Sequence, residues 1–162
     1  MARRVFFSFH YKNDVWRACV VRNSWVTKER IAQGFTDAAA FEEVQKEGEQ
    51  AIKNWIKDQL YSTSVTVVLI GSDTSNRKYV RYEIQQSFKR NNGILGINIY
   101  KIKNQDGNTS EKGSSNFGII GQDKDGKDIY FKDKYKIYNW FNDEGYKNLG
   151  DWIEEARKDA KG

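Results

Sequence analysis

The residues whose types and spacing point most directly to chemistry are Tyr79 and Glu83. They lie four positions apart in a predicted helix, so both side chains project from one helix face. The helix follows a predicted apolar strand, Val65 to Ile70, and a polar turn that starts at Gly71. In an open α/β sheet, ligands bind beyond the carboxyl ends of the strands. An aromatic ring and a carboxylate at that edge are a candidate catalytic pair.

The charged residues near Glu83 in the sequence are almost all basic. Between positions 77 and 103, Glu83 is the single acidic residue and seven residues are basic, namely Arg77, Lys78, Arg81, Lys89, Arg90, Lys101 and Lys103. Because nearby positive charge favours the ionised form of an acid, we expect the Glu83 carboxylate to stay ionised at neutral pH. The same charge would attract an anionic ligand. A basic, solvated helix face is the competing interpretation of this pattern.

Other polar side chains are expected at the same edge of the sheet. The first predicted strand, Arg3 to Phe9, brings Ser8 and His10 to the edge where Ser72 follows Ile70. His10 is the only histidine, which excludes a metal site built from several histidines, and we predict no metal site. No nucleophile-elbow sequence supports a Ser-His-Asp triad. The turn after Ile70 matches neither a phosphate-binding loop nor a dinucleotide fingerprint.

Strands and helices alternate along the first hundred residues. This alternation predicts an α/β fold with a central, mostly parallel sheet and helices on both faces. Asp37 follows the second predicted strand, where it either faces a ligand or caps an ordinary turn. The remaining predicted elements are a helix capped by Asn13 or Asp14, a strand over Ile31–Thr36, helices over Ala38–Leu60 and Lys78–Asn91, a strand over Ile94–Tyr100, a late strand or hairpin over Ile129–Phe131 and Tyr135–Trp140, and a helix over Leu149–Lys161 capped by Asp151.

Length and composition favour a single globular domain over residues 1–162, with 38% hydrophobic and 30% charged residues. We expect a core over residues 1–100, a long polar loop over 103–126 and a strand and helix extension over 127–162. No apolar run approaches the roughly 18 residues that a membrane span needs. Cys19 is the only cysteine, which excludes a disulfide framework. The amino terminus resembles a strand more than a signal peptide, so we expect a cytoplasmic protein.

Three separated segments resemble the TIR-like domain family, and within it the Thoeris antiphage defence TIR proteins of the ThsB type. The first is the strand Val5 to Tyr11, and the second is Val20-Val21-Arg22-Asn23. The third joins the Gly71-Ser72 turn to the helix Arg77 to Ile84. The resemblance covers roughly residues 1–100, with the motifs in the order that the family shows.

The resemblance implies a flavodoxin-like three-layer sandwich that cleaves NAD+ at the bond between nicotinamide and ribose. In the family a helix glutamate is essential, and an aromatic residue four positions earlier stacks on nicotinamide. These roles map onto Glu83 and Tyr79, although many members have tryptophan at the aromatic position. The residues that map onto substrate-lining segments are Phe7, Ser8, His10, Asp37 and Ser72.

The reaction that the resemblance implies requires only one carboxylate. Most glycosidases need a second acid to protonate the leaving group, whereas nicotinamide leaves NAD+ as a neutral molecule. A carboxylate that stabilises the cationic sugar contributes on the order of 3–4 kcal/mol to lowering the barrier. In signalling members the product is a cyclic ADP-ribose-type molecule that activates a separate effector. The resemblance therefore implies NAD+ as a substrate with no further cofactor, an effector reached through the product, a phage-derived trigger and assembly into homo-oligomers, without a membrane.

Two other functions are compatible with the sequence. TIR-like folds also serve as non-enzymatic adaptors, and fold alone does not decide function. The basic residues between positions 77 and 103 would suit a nucleic-acid binder, but no nucleic-acid motif accompanies them, so a nucleic-acid partner is disfavoured.

Overall fold

The computed structural model describes residues 4–26, 31–33 and 44–161. Its strands are β1 (Arg4–Ser8), β2 (Ile31–Gln33), β3 (Val65–Ile70), β4 (Gly93–Asn98), β5 (Ile119–Gln122), β6 (Asp128–Tyr130) and β7 (Ile137–Asn139). Its helices are α1 (Tyr11–Val26), α2 (Glu49–Leu60), α3 (Lys78–Lys89), α4 (Phe131–Lys134) and α5 (Gly145–Lys161). No helix among these residues is long and apolar enough to cross a membrane.

Five strands form one sheet in the order β2-β1-β3-β4-β7, and every neighbouring pair is parallel. The central strand β3 is buried along its whole length, as a β-branched run with helices on both faces should be. In the register of β1 and β3, Ser8 lies opposite Val68. The predicted α/β, flavodoxin-like architecture is confirmed.

Side chains alternate between the two faces of the sheet. On one face, Val5 and Phe7 of β1 pack in a cluster that includes Ala18 of α1 and Trp152 of α5. On the other face, Phe6 packs against the apolar stripe of α2, which consists of Ile52, Ile56 and Leu60. The sheet therefore lies between two helical layers.

Helix α3 lies on the same side of the sheet as α2 and is covered by the carboxyl-terminal part of the chain. Val80 and Ile84 of α3 pack with Val68 and Ile70 of β3. The same cluster contains Phe117, Ile120 and Phe131, which come from the segment after residue 104. Strands β5 and β6 form a separate antiparallel pair next to α3.

The carboxyl-terminal predictions need correction. The predicted polar loop 103–126 contains strand β5, and Phe117 beside it is buried. Strands form in both parts of the predicted late strand or hairpin, but they do not pair as a hairpin, because β6 pairs with β5 whereas β7 joins the main sheet. The core therefore extends well beyond residue 100.

The predicted helix over Ala38–Leu60 is not continuous in the part of it that the structure describes. One helical turn at 44–46 is followed by Gly48, whose φ of 98° belongs to the region that favours glycine, and α2 starts at Glu49. Positions 34–43, which include the end of the predicted second strand, lie outside the described residues.

The two predicted helix caps are wrong. Asn13 and Asp14 both lie inside the first turn of α1, where Arg17 pairs with Asp14, and α5 begins six residues before Asp151. Both helices start earlier than the polar residues suggested. Helix α1 begins at Tyr11, which packs against the apolar cluster of the core, and α5 begins at Gly145, against which the Trp140 ring lies.

Candidate active site

Glu83 lies beside the buried stripe of α3, which consists of Val80, Ile84 and Ser87. Its side chain reaches the carboxyl end of β1, where the Ser8 hydroxyl donates a hydrogen bond of 2.6 Å to Glu83 Oε1. Ser8 is fully buried, and Glu83 as a whole residue is partly exposed. The candidate acid is thus held at the predicted edge of the sheet, with part of it accessible.

The protonation state of Glu83 differs from the expectation. Burial raises the pKa of Glu83 to about 8, and the hydrogen bond from Ser8 opposes this rise. Six of the seven basic residues between positions 77 and 103 are exposed, so water screens their charge. The expectation of an ionised Glu83 at neutral pH is therefore wrong for the ligand-free protein, because desolvation outweighs the surrounding positive charge.

Tyr79 lies one helical turn before Glu83 on α3 and is half-buried. Its ring packs against the cluster formed by Phe6 and the stripe of α2. Phe6 and Ser8 are two positions apart on β1 and share one face of the sheet. Tyr79 and Glu83 therefore lie on the same side of the sheet, Tyr79 against the cluster that contains Phe6 and Glu83 against Ser8.

Two contacts connect α3 to α2 near this pair. Lys78 forms an ion pair with Glu49 at the start of α2, and its Nζ lies 5.6 Å from the centroid of the Tyr79 ring. Lys53 Nζ lies 5.3 Å from the centroid of the Tyr82 ring. These side chains are exposed or half-exposed, so they contribute little stability and mainly orient the two helices.

His10 lies at the edge of the sheet, two residues after β1, and is half-buried. Burial lowers its pKa, and the positive charge of Arg77 adds to this effect. Within the described residues, the buried His10 Nδ1 has no hydrogen-bond partner. His10 is therefore a neutral imidazole at pH 7, next to the turn that carries Asp73 and Arg77.

The other predicted residues are placed differently. Ser72 is exposed and its hydroxyl lies 3.4 Å from Asn13 Nδ2, so it sits on the same edge as His10. Phe7 is 1% exposed and packs into the core on the face opposite Ser8 and Glu83, so the structure does not bring it to them. Asp37 lies outside the described residues.

Comparison with known proteins identifies the family of this chain. The model of the TIR-like domain of the Thoeris protein ThsB matches residues 6–104. The chain belongs to this family. A Bacillus cereus (strain MSX-D12) protein with the name "Putative cyclic ADP-D-ribose synthase ThsB1" is 37% identical over 191 aligned positions, which cover 94% of this chain and 100% of that protein.

A buried ion pair that the sequence does not predict lies at the edge of this TIR-like domain. Asp14 and Arg17, both on α1, are almost fully buried, with Arg17 Nη1 2.9 Å from Asp14 Oδ1. Arg17 also donates to the carbonyl groups of Ile102, at 2.6 Å, and Asn108, at 2.9 Å. The only signal in the sequence was opposite charge at a three-residue spacing, which does not reveal burial.

The segment that Arg17 holds lies against the turn after β3. A Cβ atom at Gly113 would overlap the carbonyl oxygen of Gly71, and a Cβ atom at Gly71 would overlap the Asp14 carboxylate. Glycine is required at position 113 because two backbones approach closely there, and at position 71 because the buried, ion-paired Asp14 side chain occupies the space of a Cβ atom. This contact places the segment 102–113 over the edge where Ser72 and His10 lie.

A cavity of about 500 Å³ lies elsewhere, between the start of β4, strand β7 and helix α5. Ile94, Tyr138 and Trp152 line it, and none of the predicted site residues do. Its size alone does not make it the active site, since it contains neither Glu83 nor Tyr79. Among the described residues, no group of three histidine, cysteine, aspartate or glutamate side chains could hold a metal ion.

Proposed function

We propose that this protein cleaves NAD+ at the bond between nicotinamide and ribose and converts the remainder into a cyclic ADP-ribose-type signal for antiphage defence. Membership of the ThsB family and the name of the Bacillus cereus relative support this activity. The observation that carries the proposal is the Ser8–Glu83 hydrogen bond of 2.6 Å at the carboxyl edge of the sheet. It holds an acid where α/β proteins bind ligands.

Glu83 is the proposed catalytic residue. In the ligand-free protein its raised pKa of about 8 keeps it mostly protonated at pH 7. NAD+ carries a positive charge on its nicotinamide ring, and a cation nearby favours the ionised carboxylate. Substrate binding would therefore release the proton and produce the charge that the reaction needs.

The reaction breaks one carbon–nitrogen bond. The electron pair of that bond leaves with nicotinamide, which becomes neutral, and a positive charge develops on the ribose ring. The Glu83 carboxylate stabilises this charge, and the burial that raises its pKa also strengthens its electrostatic interaction with a cation. A nucleophilic atom of the same ADP-ribose then donates a lone pair to that ribose carbon, which closes the ring and removes the positive charge from the ribose; a hydroxyl nucleophile gives up its proton in this step.

Ser8 and Tyr79 have supporting roles in this proposal. The Ser8 hydroxyl fixes the Glu83 side chain and, through its hydrogen bond, lowers the pKa of Glu83 against the effect of burial. The half-buried Tyr79 ring, supported by Phe6 and α2, offers a plane on which nicotinamide can stack. His10 and Ser72 are proposed to contact the rest of the substrate at the edge.

The first prediction concerns Glu83→Gln, tested in cells that express the full-length protein and are challenged with phage. We expect loss of NAD+ cleavage and of the cyclic product by a factor of about 10² or more, because the amide cannot supply the negative charge. Mass spectrometry of small molecules measures both. Glu111→Gln, at an exposed acid on a loop, is the matched control and should behave like wild type.

Undiminished NAD+ consumption by Glu83→Gln would overturn the assignment of the catalytic residue. A wild-type protein that forms no product after phage challenge would favour a non-enzymatic adaptor instead. The proposal also includes a separate effector that binds the product, a phage-derived trigger, homo-oligomers and action in the cytoplasm, with no cofactor besides the substrate NAD+.

A further inference from the structure

A chain of buried hydrogen bonds runs under α3 and ends at Glu83. Asn92 Nδ2 lies 3.3 Å from Thr66 Oγ1, which lies 2.7 Å from Ser87 Oγ. Ser87 Oγ donates a hydrogen bond of 2.7 Å to the main-chain carbonyl oxygen of Glu83. Thr66 and Ser87 are fully buried, and Asn92 is 4% exposed. The chain thus connects the sheet to the residue proposed as the catalyst.

The single hydroxyl proton of Ser87 and that of Thr66 determine which group donates and which accepts in each hydrogen bond of the chain. Ser87 has one hydroxyl proton, which it donates to Glu83, so it must accept from Thr66. Thr66 has then used its own proton and accepts from the Asn92 amide. Each hydroxyl donates once and accepts once, which is a fully satisfied arrangement inside the protein.

This chain lies within an interface that is otherwise apolar. The neighbouring contacts between α3 and β3 come from Val68, Val80 and Ile84. Apolar contact is non-directional and leaves a helix some freedom to slide or roll. Hydrogen bonds require a narrow range of distance and angle. The chain therefore supplies a directional constraint between α3 and β3, in addition to the Ser8–Glu83 hydrogen bond between β1 and α3.

The hydrogen bond between the Glu83 carboxylate and Ser8 depends on the rotation of α3 about its axis. The Glu83 carboxylate meets Ser8 at 2.6 Å, so a small roll of α3 would lengthen or break this hydrogen bond. Misplacing a reacting group by 1 Å costs roughly a factor of 10² in rate. The Glu83 carbonyl group is anchored to β3, and its carboxylate is anchored to β1.

We infer that Thr66, Ser87 and Asn92 are positioning residues for Glu83, which act by fixing the rotation of α3 on the sheet. This inference rests on the proposed function only in what it predicts for turnover. The geometry it describes exists in the ligand-free protein and is testable without activity.

The test variant is Thr66→Val, which keeps the side-chain shape and removes the hydroxyl. Ser87 keeps its bond to Glu83 but loses the connection to β3. We expect kcat for NAD+ cleavage to fall about tenfold to a hundredfold. KM should stay within about twofold, because no group proposed to touch substrate is changed.

Thr63→Val is the matched control. Thr63 is also buried, and its hydroxyl donates to the Leu60 carbonyl oxygen at 2.6 Å and accepts from Asn92 Nδ2 at 3.1 Å. Because the Asn92 amide has two N–H groups, Thr63→Val leaves the path from Asn92 through Thr66 and Ser87 to Glu83 intact. A structural role alone predicts equal loss of stability and of activity in both variants. The inference predicts similar loss of stability but a lower kcat only in Thr66→Val.

The double variant Thr66→Val, Ser87→Ala separates stability from positioning. Removing both partners of a buried hydrogen bond costs less stability than removing one. We therefore expect urea unfolding to show part of the stability restored while kcat stays low. Recovery of kcat together with stability would overturn the inference.

A second readout covers the case in which the wild-type protein shows no turnover. Carbon-13 NMR titration of the Glu83 carboxyl group in the free protein reports its hydrogen bond with Ser8. In Thr66→Val we expect that titration to move to higher pH, because a weaker bond from Ser8 opposes protonation less. An unchanged titration would reject the inference, while absence of turnover with a shifted titration would reject only the proposed function.

Discussion

Glu83 illustrates how the immediate surroundings of one residue outweigh the charge of the chain around it. Its position on the helix, next to an aromatic residue at four-residue spacing, was predictable from the sequence. Its pKa of about 8 was not, because the depth of a carboxylate below the surface depends on which elements cover it. The basic residues nearby in sequence are mostly exposed and do not reverse the effect of burial.

This raised pKa gives stability a dependence on pH. In the unfolded chain Glu83 titrates near its ordinary value of 4.5, and in the folded protein near 8. Between these values the folded state binds more protons, so the free energy of unfolding falls as pH rises, by up to about 1.4 kcal/mol per pH unit. The glutamine side chain in Glu83→Gln does not titrate, so this variant lacks that contribution to the pH dependence of stability.

We therefore predict that the stability of Glu83→Gln relative to wild type increases steadily between pH 5 and about pH 8 and then levels off. Urea unfolding at four or five pH values measures this difference. Glu111→Gln, the control used above, should show no such trend. A constant difference across this range would mean that Glu83 titrates normally in the folded protein.

At the scale of elements, α1 and the segment 102–113 are held together by one buried cation. Arg17 pairs with Asp14 and donates to two main-chain carbonyl groups of that segment. Burial raises the pKa of Asp14, and the hydrogen bond from Arg17 opposes this rise. Asp14 Oδ2 has no partner among the described residues, so Arg17 carries most of the compensation for burying this carboxylate.

We predict that Arg17→Met lowers the free energy of unfolding by about 3–5 kcal/mol, because it leaves a buried carboxylate without its cation. Urea unfolding monitored by circular dichroism measures the loss. Adding Asp14→Asn should restore part of the stability, since the charge is then removed as well. A single variant as stable as wild type would show that the pair does not stabilise the fold.

The elements predicted best are those whose pattern depends only on local sequence. Strand β3 has the predicted bounds, Val65–Ile70, because a continuous β-branched run has few alternatives. The break at Gly48 was missed because glycine fits the apolar stripe, and only the backbone reveals its φ of 98°. Thr66 and Ser87 were visible as polar residues at buried positions, but their contact depends on how α3 docks on β3.

At the scale of the whole molecule, the carboxyl-terminal third completes the core. The matched family region ends at residue 104, yet Phe117 and Phe131 are each 1% exposed and pack on α3 through the cluster around Ile84. Their rings meet edge to face, with centroids 5.1 Å apart. The sequence of this part predicts a polar loop, because its polar composition hides a few deeply buried aromatic residues.

We predict that Phe117→Ala lowers the free energy of unfolding by about 3–5 kcal/mol in a single cooperative transition. Phe117 belongs to the same buried cluster as Val80 and Ile84, so the cavity would also weaken the packing of α3, the helix that carries Glu83. Phe141→Ala is the matched control, since Phe141 is 54% exposed. Equal stability of the two variants, or an early transition confined to the carboxyl-terminal third, would show that this third is a separate unit.

The close approach of Gly113 to Gly71 has a practical consequence for protein engineering. A methyl group added at position 113 would place its carbon atom in overlap with the carbonyl oxygen of Gly71, so the two backbones would have to move apart. We expect Gly113→Ala to widen the edge near His10 from a position that bears no functional group of its own.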